Sequence, residues 1–191
     1  MPSVSFTVPN LITLFRILLT PLFIIFLIQG RYHRALMVFV LAGVSDLADG
    51  LIARLWQQKS RLGSYLDPLA DKLLLGASFV TLSIYKQIPS WLTVMVLSRD
   101  VALTLGVLLL RLSDYPLVIK PSLAAKLTTS AQLATVLLVL LARLWPLPVE
   151  LLKVFFWLTG ALTAISGIHY VYWGLKMVSQ SGNGGQEPGR G

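Results

Sequence analysis

Long apolar runs and short polar breaks alternate along the whole chain. Six of the runs approach the roughly 20 residues that a membrane-spanning helix needs. The breaks between them hold glycine, proline and basic residues, which are typical of turns and of the membrane interface. The pattern therefore predicts an all-α integral membrane protein with six transmembrane helices. The predicted segments are Leu11–Gln29, Arg34–Leu55, Tyr65–Tyr85, Trp91–Leu110, Leu123–Trp145 and Leu151–Val178.

The composition indicates a membrane protein and excludes every site that depends on cysteine. Of the 191 residues, 55% are hydrophobic and 13% are charged, and the mean hydropathy of +0.76 is too high for an ordinary soluble domain. The chain has no cysteine, so disulfides, thiolate metal sites and cysteine nucleophiles are excluded. The length predicts one domain, with residues 1–178 in the membrane and the Gly-rich stretch 179–191 as a disordered tail.

The positive charge of the chain indicates anionic partners, and its distribution predicts the orientation of the protein in the membrane. The formal net charge is +8, which in so apolar a chain favours an anionic membrane surface or substrate and not a nucleic acid. With six spans, ten basic residues fall on the side of the two termini and five on the other, while Arg99 lies in mid-span. The positive-inside rule then places both termini in the cytoplasm, at the inner or plasma membrane if the source is bacterial.

Half of the acidic residues lie in one short stretch of this apolar chain. Asp46 and Asp49 end the second segment, and Asp67 and Asp71 begin the third. Helical spacing places the members of each pair on one face, about one turn apart. Because the linker between the segments is short, we expect antiparallel neighbouring helices whose four carboxylates converge at the cytoplasmic face.

Four converging carboxylates need a counter-charge. One aspartate within an apolar span costs roughly 2.5–3.5 kcal/mol, and neighbouring carboxylates repel each other. Oxygen ligands without Cys, and with no His in the cluster, suit a hard divalent cation such as Mg²⁺ or Mn²⁺, and four carboxylates can hold two such ions. Since Mg²⁺ also binds substrate phosphates, the cluster predicts a site for a phosphorylated ligand.

The spacing within this stretch resembles a known family signature. The pattern D-x2-D-G-x2-A-R-x8-G-x3-D-x3-D runs from Asp46 to Asp71 and fixes eight residues over 26 positions. It is similar, at every fixed position, to the signature of the CDP-alcohol phosphatidyltransferases. The resemblance implies a fold of six transmembrane helices and a membrane enzyme that transfers a phosphatidyl group from CDP-diacylglycerol to an alcohol and releases CMP.

The resemblance also implies roles for the signature residues. The four aspartates would hold two divalent metal ions on the pyrophosphate, and Asp71 would also be the general base that takes the proton of the acceptor hydroxyl. The nucleotide of CDP-diacylglycerol would be bound by a set of small, basic and acidic positions, namely Asp49, Gly50, Ala53, Arg54 and Gly63. On their own, Gly50 and Ala53 are equally compatible with close helix packing in a membrane. Family members are often dimers, so a homodimer is one assembly that the resemblance implies.

Two acceptors remain open. The opening VPNLITLFRILLTP, together with SRDV at Ser98–Val101 and KPSLAAKLTTSAQ at Lys120–Gln132, resembles the phosphatidylglycerophosphate synthase and the eukaryotic-type cardiolipin synthase branches. The last two motifs favour phosphatidylglycerol as acceptor, whereas the small size of this protein favours glycerol 3-phosphate. Glycerol 3-phosphate is the preferred of the two predicted acceptors. Both acceptors carry a phosphate, and Arg16, Arg99 and Lys126 are the predicted contacts to it; snorkelling or ion pairing is the alternative for each.

Other classes of protein are compatible with intramembrane carboxylates. A cation transporter would place them near the bilayer midplane in broken helices, whereas this cluster is predicted at one face beside Arg54. A catalytically inactive scaffold of the same fold would be expected to lack some of the aspartates, and the signature is complete. The sequence therefore favours an enzyme.

Overall fold

The computed structural model describes residues 8–55, 63–112 and 123–183. Six α-helices fill these ranges, and the described residues contain no strand. The helices are α1 (Val8–Ile28), α2 (Tyr32–Leu55), α3 (Gly63–Ile84), α4 (Ser90–Leu112), α5 (Leu123–Ala142) and α6 (Val149–Asn183). Each predicted apolar segment corresponds to one of them, so the all-α prediction is confirmed. The proposed boundary between domain and tail at 178/179 stays a prediction; α6 itself continues to Asn183.

The helices pack as an antiparallel bundle. α1 packs on α2 and α3, α4 packs on α3 and α6, and α5 packs on α6, α2 and α3. At one end, the Gln87 side chain donates a hydrogen bond of 2.7 Å to the Tyr32 hydroxyl, and the Arg143 guanidinium lies over the Tyr32 ring. The turns after α1, α3 and α5 therefore share this end. The end of α2 and the start of α3, which carry the aspartates, lie at the opposite end.

The interior changes character from one end of the bundle to the other. Near the three turns the core is apolar and includes Phe23, Phe39, Phe79, Leu92 and Leu140. Towards the aspartate end many buried side chains of α1, α5 and α6 are polar, whereas α3 buries the apolar Ala70, Leu74 and Leu75 there. The buried polar residues of α1, α5 and α6 are Thr13, Arg16, Thr20, Thr128, Gln132, Thr135, Thr159, Thr163 and Ser166. The fold thus places a polar interior next to the predicted site.

The outer surface is strongly apolar. Large hydrophobic side chains, including Leu18, Ile84, Val94, Trp157 and Ile168, are exposed on several helices, as expected of a protein that faces lipid. Among the described residues, two helical segments are long and apolar enough to cross a membrane, Leu123–Ala142 and Val149–Tyr170, and Ile12–Ile28 is a shorter apolar helix. These helices and the apolar surface suggest membrane association; the six-span arrangement stays a prediction.

Candidate active site

Arg16 joins two of the predicted metal-binding aspartates. Its Nη1 lies 2.8 Å from Asp46 Oδ1 and 2.5 Å from Asp71 Oδ1. The Arg16 side chain is 1% exposed, whereas those of Asp46 and Asp71 are 45% and 43% exposed. The third turn of α1, the C-terminal half of α2 and the first half of α3 therefore meet at one point, where the guanidinium is buried and the two carboxylates are partly exposed.

The prediction that aspartates of α2 and α3 come together is confirmed for this pair. Because one nitrogen contacts an oxygen of each carboxylate, the Oδ1 atoms of Asp46 and Asp71 converge. Asp49 follows Asp46 by one turn in α2, and Asp67 precedes Asp71 by one turn in α3. The side chains of Asp49 and Asp67 lie outside those that the structure describes, so their part in the site stays a prediction.

The predicted nucleotide-binding residues have defined places in the helices. Gly50, Ala53 and Arg54 belong to the last two turns of α2, and Gly63 is the first residue of α3. Their side-chain surroundings lie outside the described part of the structure. The backbone places all four near the end of the bundle that holds Asp46 and Asp71, which fits a nucleotide pocket beside the carboxylates without testing it.

The donor set fits a hard divalent cation. Carboxylate oxygens are the ligands that Mg²⁺ and Mn²⁺ prefer, and both described carboxylates are partly exposed, so a further partner can approach them. Within the described side chains, no group of three or more acidic, histidine or cysteine residues comes together. Two of the four predicted ligands fall outside that part of the chain.

A second charged group lies between α3, α4 and α6. Arg99 Nη1 is 2.7 Å from Asp100 Oδ1, and its Nη2 donates a hydrogen bond of 2.9 Å to Ser166 Oγ. Arg99 Nε is buried and has no hydrogen-bond partner among the described residues. Arg99 thus forms the ion pair with Asp100 that the sequence allowed as an alternative. The pair leaves Nε of the guanidinium available to another anion.

Lys72 belongs to this second group, and the sequence reasoning overlooked it. Its Nζ donates hydrogen bonds to Thr104 Oγ1 at 2.5 Å and to the Asp100 carbonyl oxygen at 3.3 Å. Consecutive helical residues differ by about 100° in direction, so Asp71 faces α1 while Lys72 faces α4. The available signal was a lysine directly after the last aspartate of the signature.

Arg16, Arg99 and Lys126 do not form one cluster. Arg16 contacts the carboxylates, and Arg99 contacts Asp100 and Ser166. Lys126 is exposed on α5 and makes no hydrogen bond or ion pair with any other residue that the structure describes. Their roles towards an acceptor stay predictions.

Comparison with known proteins identifies the family. The family model for CDP-alcohol phosphatidyltransferase matches residues 6–165, which includes both charged groups and most of the bundle. The chain belongs to the CDP-alcohol phosphatidyltransferase family. The resemblance of the aspartate signature is thereby confirmed at the level of the family.

The relatives of this chain carry names of two different activities. The human cardiolipin synthase (CMP-forming) is 36% identical over 189 residues, which cover 90% of this chain and 63% of that protein. A Drosophila melanogaster protein named probable cardiolipin synthase (CMP-forming) is 35% identical, with 86% of this chain and 56% of the relative covered. The Bacillus subtilis CDP-diacylglycerol–glycerol-3-phosphate 3-phosphatidyltransferase is 34% identical, with 86% and 93% covered. The chain thus spans about three fifths of the animal relatives and nearly all of the Bacillus one.

Hydroxyl groups of α5 and α6 contribute to the polar interior of the bundle. Thr135 and Thr159 Oγ1 are 2.7 Å apart, and Thr128 Oγ1 donates a hydrogen bond of 3.1 Å to the Leu162 carbonyl oxygen. Threonine and serine hydroxyls donate hydrogen bonds to groups on a neighbouring helix and so link helices within an apolar medium. This ladder fixes α6, and with it Ser166, against α5.

Proposed function

We propose that the chain is a multi-pass membrane enzyme of phospholipid biosynthesis that transfers the phosphatidyl group of CDP-diacylglycerol to a glycerol-type acceptor and releases CMP. The observation that carries the proposal is the convergence of Asp46 and Asp71 at the meeting point of α1, α2 and α3, within a complete family signature. Lipid tails of the donor can remain in the bilayer while its nucleotide lies at the end of the bundle.

The proposed reaction uses the carboxylates in two ways. The four aspartates would hold two divalent cations, Mg²⁺ or Mn²⁺, and these would neutralise the phosphates and stabilise the CMP leaving group. Asp71 takes the proton of the acceptor hydroxyl as its oxygen attacks the phosphorus of the phosphatidyl group. The bond from that phosphorus to the CMP oxygen breaks, so no ATP is consumed. Gly50, Ala53, Arg54 and Gly63 would line the nucleotide pocket.

Glycerol 3-phosphate is the proposed acceptor. The chain covers 93% of the Bacillus subtilis relative whose name includes glycerol 3-phosphate, which supports this acceptor at the level of overall chain length. Arg99 is proposed to contact the acceptor phosphate, and its buried Nε, which has no partner among the described residues, supports this role. Arg16 and Lys126 are the other proposed contacts.

Phosphatidylglycerol is the second candidate acceptor. The specific observation in its favour is the 36% identity to the human cardiolipin synthase (CMP-forming) over 90% of this chain. The product would then be cardiolipin. The chemistry at Asp71 is the same for both acceptors, since each presents a glycerol hydroxyl and a phosphate.

We propose that all six helices span the membrane, with both termini and the site at the cytoplasmic face. The apolar outer surface of the bundle and its polar interior support this placement. A homodimer is proposed by analogy with the family only.

CMP release tests the proposed function directly. Purified protein in detergent with CDP-diacylglycerol and Mn²⁺ or Mg²⁺ is expected to release CMP when glycerol 3-phosphate is added, and not without an acceptor. A parallel reaction with phosphatidylglycerol decides between the acceptors. CMP release with phosphatidylglycerol alone would establish the second candidate, and no release with either would overturn the acceptor assignment. A transporter would release no CMP in any of these reactions.

A further inference from the structure

The guanidinium of Arg16 occupies the position between two proposed metal ligands. We infer that Arg16 is an internal counter-ion of this carboxylate site, which competes with the divalent cation for Asp46 and Asp71 and withdraws from them when the cation binds. The inference rests on the proposed function, because it takes these two aspartates as metal ligands.

The competition follows from the atoms involved. Arg16 Nη1 contacts Oδ1 of Asp46 at 2.8 Å and Oδ1 of Asp71 at 2.5 Å. The guanidinium therefore already binds the two carboxylate oxygens that a bridging cation would use. A cation bridging the same carboxylates would lie within a few ångströms of the guanidinium. Two positive charges at that distance repel strongly in a partly buried site.

The hydrogen bonding of Arg16 is incomplete, which favours its displacement. Arginine–carboxylate pairs are frequently bidentate, with two parallel N–H···O bonds. Here one nitrogen serves both carboxylates, while Arg16 Nε and Nη2 are buried without a hydrogen-bond partner among the described residues. The guanidinium therefore balances the charge of the aspartates while only one of its three nitrogens contacts them.

The geometry also gives the cation a separate route to the carboxylates. Arg16 is 1% exposed and lies beneath Asp46 and Asp71, whose side chains are 45% and 43% exposed. A cation can bind from the exposed side while the guanidinium remains on the buried side. Release of Arg16 would leave a positive group with unpartnered donors beside the site, in keeping with the predicted contact of Arg16 to an anionic acceptor.

Manganese affinity separates this role from a purely structural one. Wild-type protein and the variant Arg16→Gln are purified with Mn²⁺ and then freed of it by dialysis, and Mn²⁺ is titrated while the electron paramagnetic resonance signal of the free ion is followed. Loss of a competing charge a few ångströms away is expected to tighten Mn²⁺ binding by at least about tenfold. The thermal unfolding midpoint of the variant should also rise more on addition of Mn²⁺ than that of the wild type.

Arg99→Gln is the matched control. Arg99 is likewise a largely buried arginine, 9% exposed, paired with one aspartate outside the carboxylate site. This variant is expected to lose thermal stability with its Mn²⁺ affinity unchanged. If Arg16→Gln cannot be purified, Arg16→Met replaces it, because methionine keeps an unbranched side chain without the positive charge and is likewise expected to tighten Mn²⁺ binding.

The sign of the change decides the inference. Unchanged or weaker Mn²⁺ binding in Arg16→Gln, or in Arg16→Met where that variant is used, overturns it, since a residue that merely organises the ligands would weaken binding when removed. A wild-type protein that binds no Mn²⁺ would instead overturn the proposed metal site itself, which distinguishes the two failures.

Discussion

At the scale of single residues, the site is a set of charges that neutralise one another across helices. Asp46 and Asp71 both form ion pairs with Arg16. Asp100 forms an ion pair with Arg99, and the Lys72 ammonium donates a hydrogen bond to the carbonyl oxygen of Asp100. Asp71 and Lys72 are consecutive in α3, so this helix divides the two groups. The proposed proton acceptor, Asp71, and Lys72 of the second charged group therefore lie on adjacent faces of one helix.

Asp71→Asn tests the proposed general base. The amide keeps the shape of the side chain but cannot take a proton at neutral pH, so CMP release is expected to fall by about 10²–10⁴-fold. Binding of CDP-diacylglycerol, measured with a labelled donor, should be largely retained. Asp46→Asn is the comparison, expected to lose binding and turnover together. Equal loss of binding in the two variants would show that Asp71 acts chiefly as a metal ligand.

Arg99→Gln tests the proposed contact to the acceptor phosphate. A hydrogen bond to a charged group contributes about 1.5–3 kcal/mol, so the KM for glycerol 3-phosphate is expected to rise by about 10–100-fold. The KM for CDP-diacylglycerol should change little. Lys153→Gln is the control, because Lys153 is an exposed residue paired with Glu150 in the first turn of α6. A parallel rise in both KM values would contradict a role confined to the acceptor.

At the scale of the helices, α6 is held by two different kinds of contact. Near the site, the threonine ladder and Ser166 tie it to α5 and to Arg99. Directly after Thr159, Gly160 receives the Trp91 ring of α4, and a Cβ atom at Gly160 would lie 2.7 Å from that ring. The position of Ser166 against Arg99 therefore depends on close packing some two turns away.

Gly160→Ala tests this packing. The added methyl group has to displace the Trp91 ring, and overpacking of this kind typically costs about 1–3 kcal/mol. The thermal unfolding midpoint in detergent is expected to fall accordingly. Gly43→Ala in α2 is the matched control, since nothing lies within 4 Å of a Cβ built there, and its midpoint should stay the same or rise. A similar loss in both variants would indicate a general effect of glycine replacement.

At the scale of the whole molecule, the bundle separates an apolar end from a polar end. Much of the aromatic and aliphatic core lies near the turns after α1, α3 and α5, and the two charged groups lie in the C-terminal half of α2, the first half of α3 and the middle of α4. This polarity along the bundle axis, together with the apolar exterior, is the basis for placing the site at one membrane face.

Single-cysteine labelling tests the orientation. The chain has no cysteine, so each introduced thiol reports alone. In intact cells, Lys86→Cys, in the turn between α3 and α4, is expected to react with a membrane-impermeant maleimide. Asp114→Cys, which follows α4 in the sequence, should react only after the membrane is opened. Labelling of both positions in intact cells would contradict the proposed six-span topology.

The sequence by itself determined the helices and the chemical nature of the site. Helical segments followed from the length and spacing of apolar runs, because a helix in lipid satisfies its own backbone hydrogen bonds and needs only an apolar surface. The family signature followed from the fixed spacing of Asp46 to Asp71, and the approach of these two side chains is confirmed.

Only the tertiary structure decided which charges pair. The sequence gives the direction of a side chain around its own helix, but not the rotation of that helix against its neighbours. Arg16 was therefore predicted as a phosphate contact and is found on the carboxylates, while Lys72 went unnoticed and is found beside Asp100. The hydroxyls of Thr135 and Thr159 likewise meet only because α5 and α6 pack with those faces together, a choice made by the summed contacts of the whole bundle.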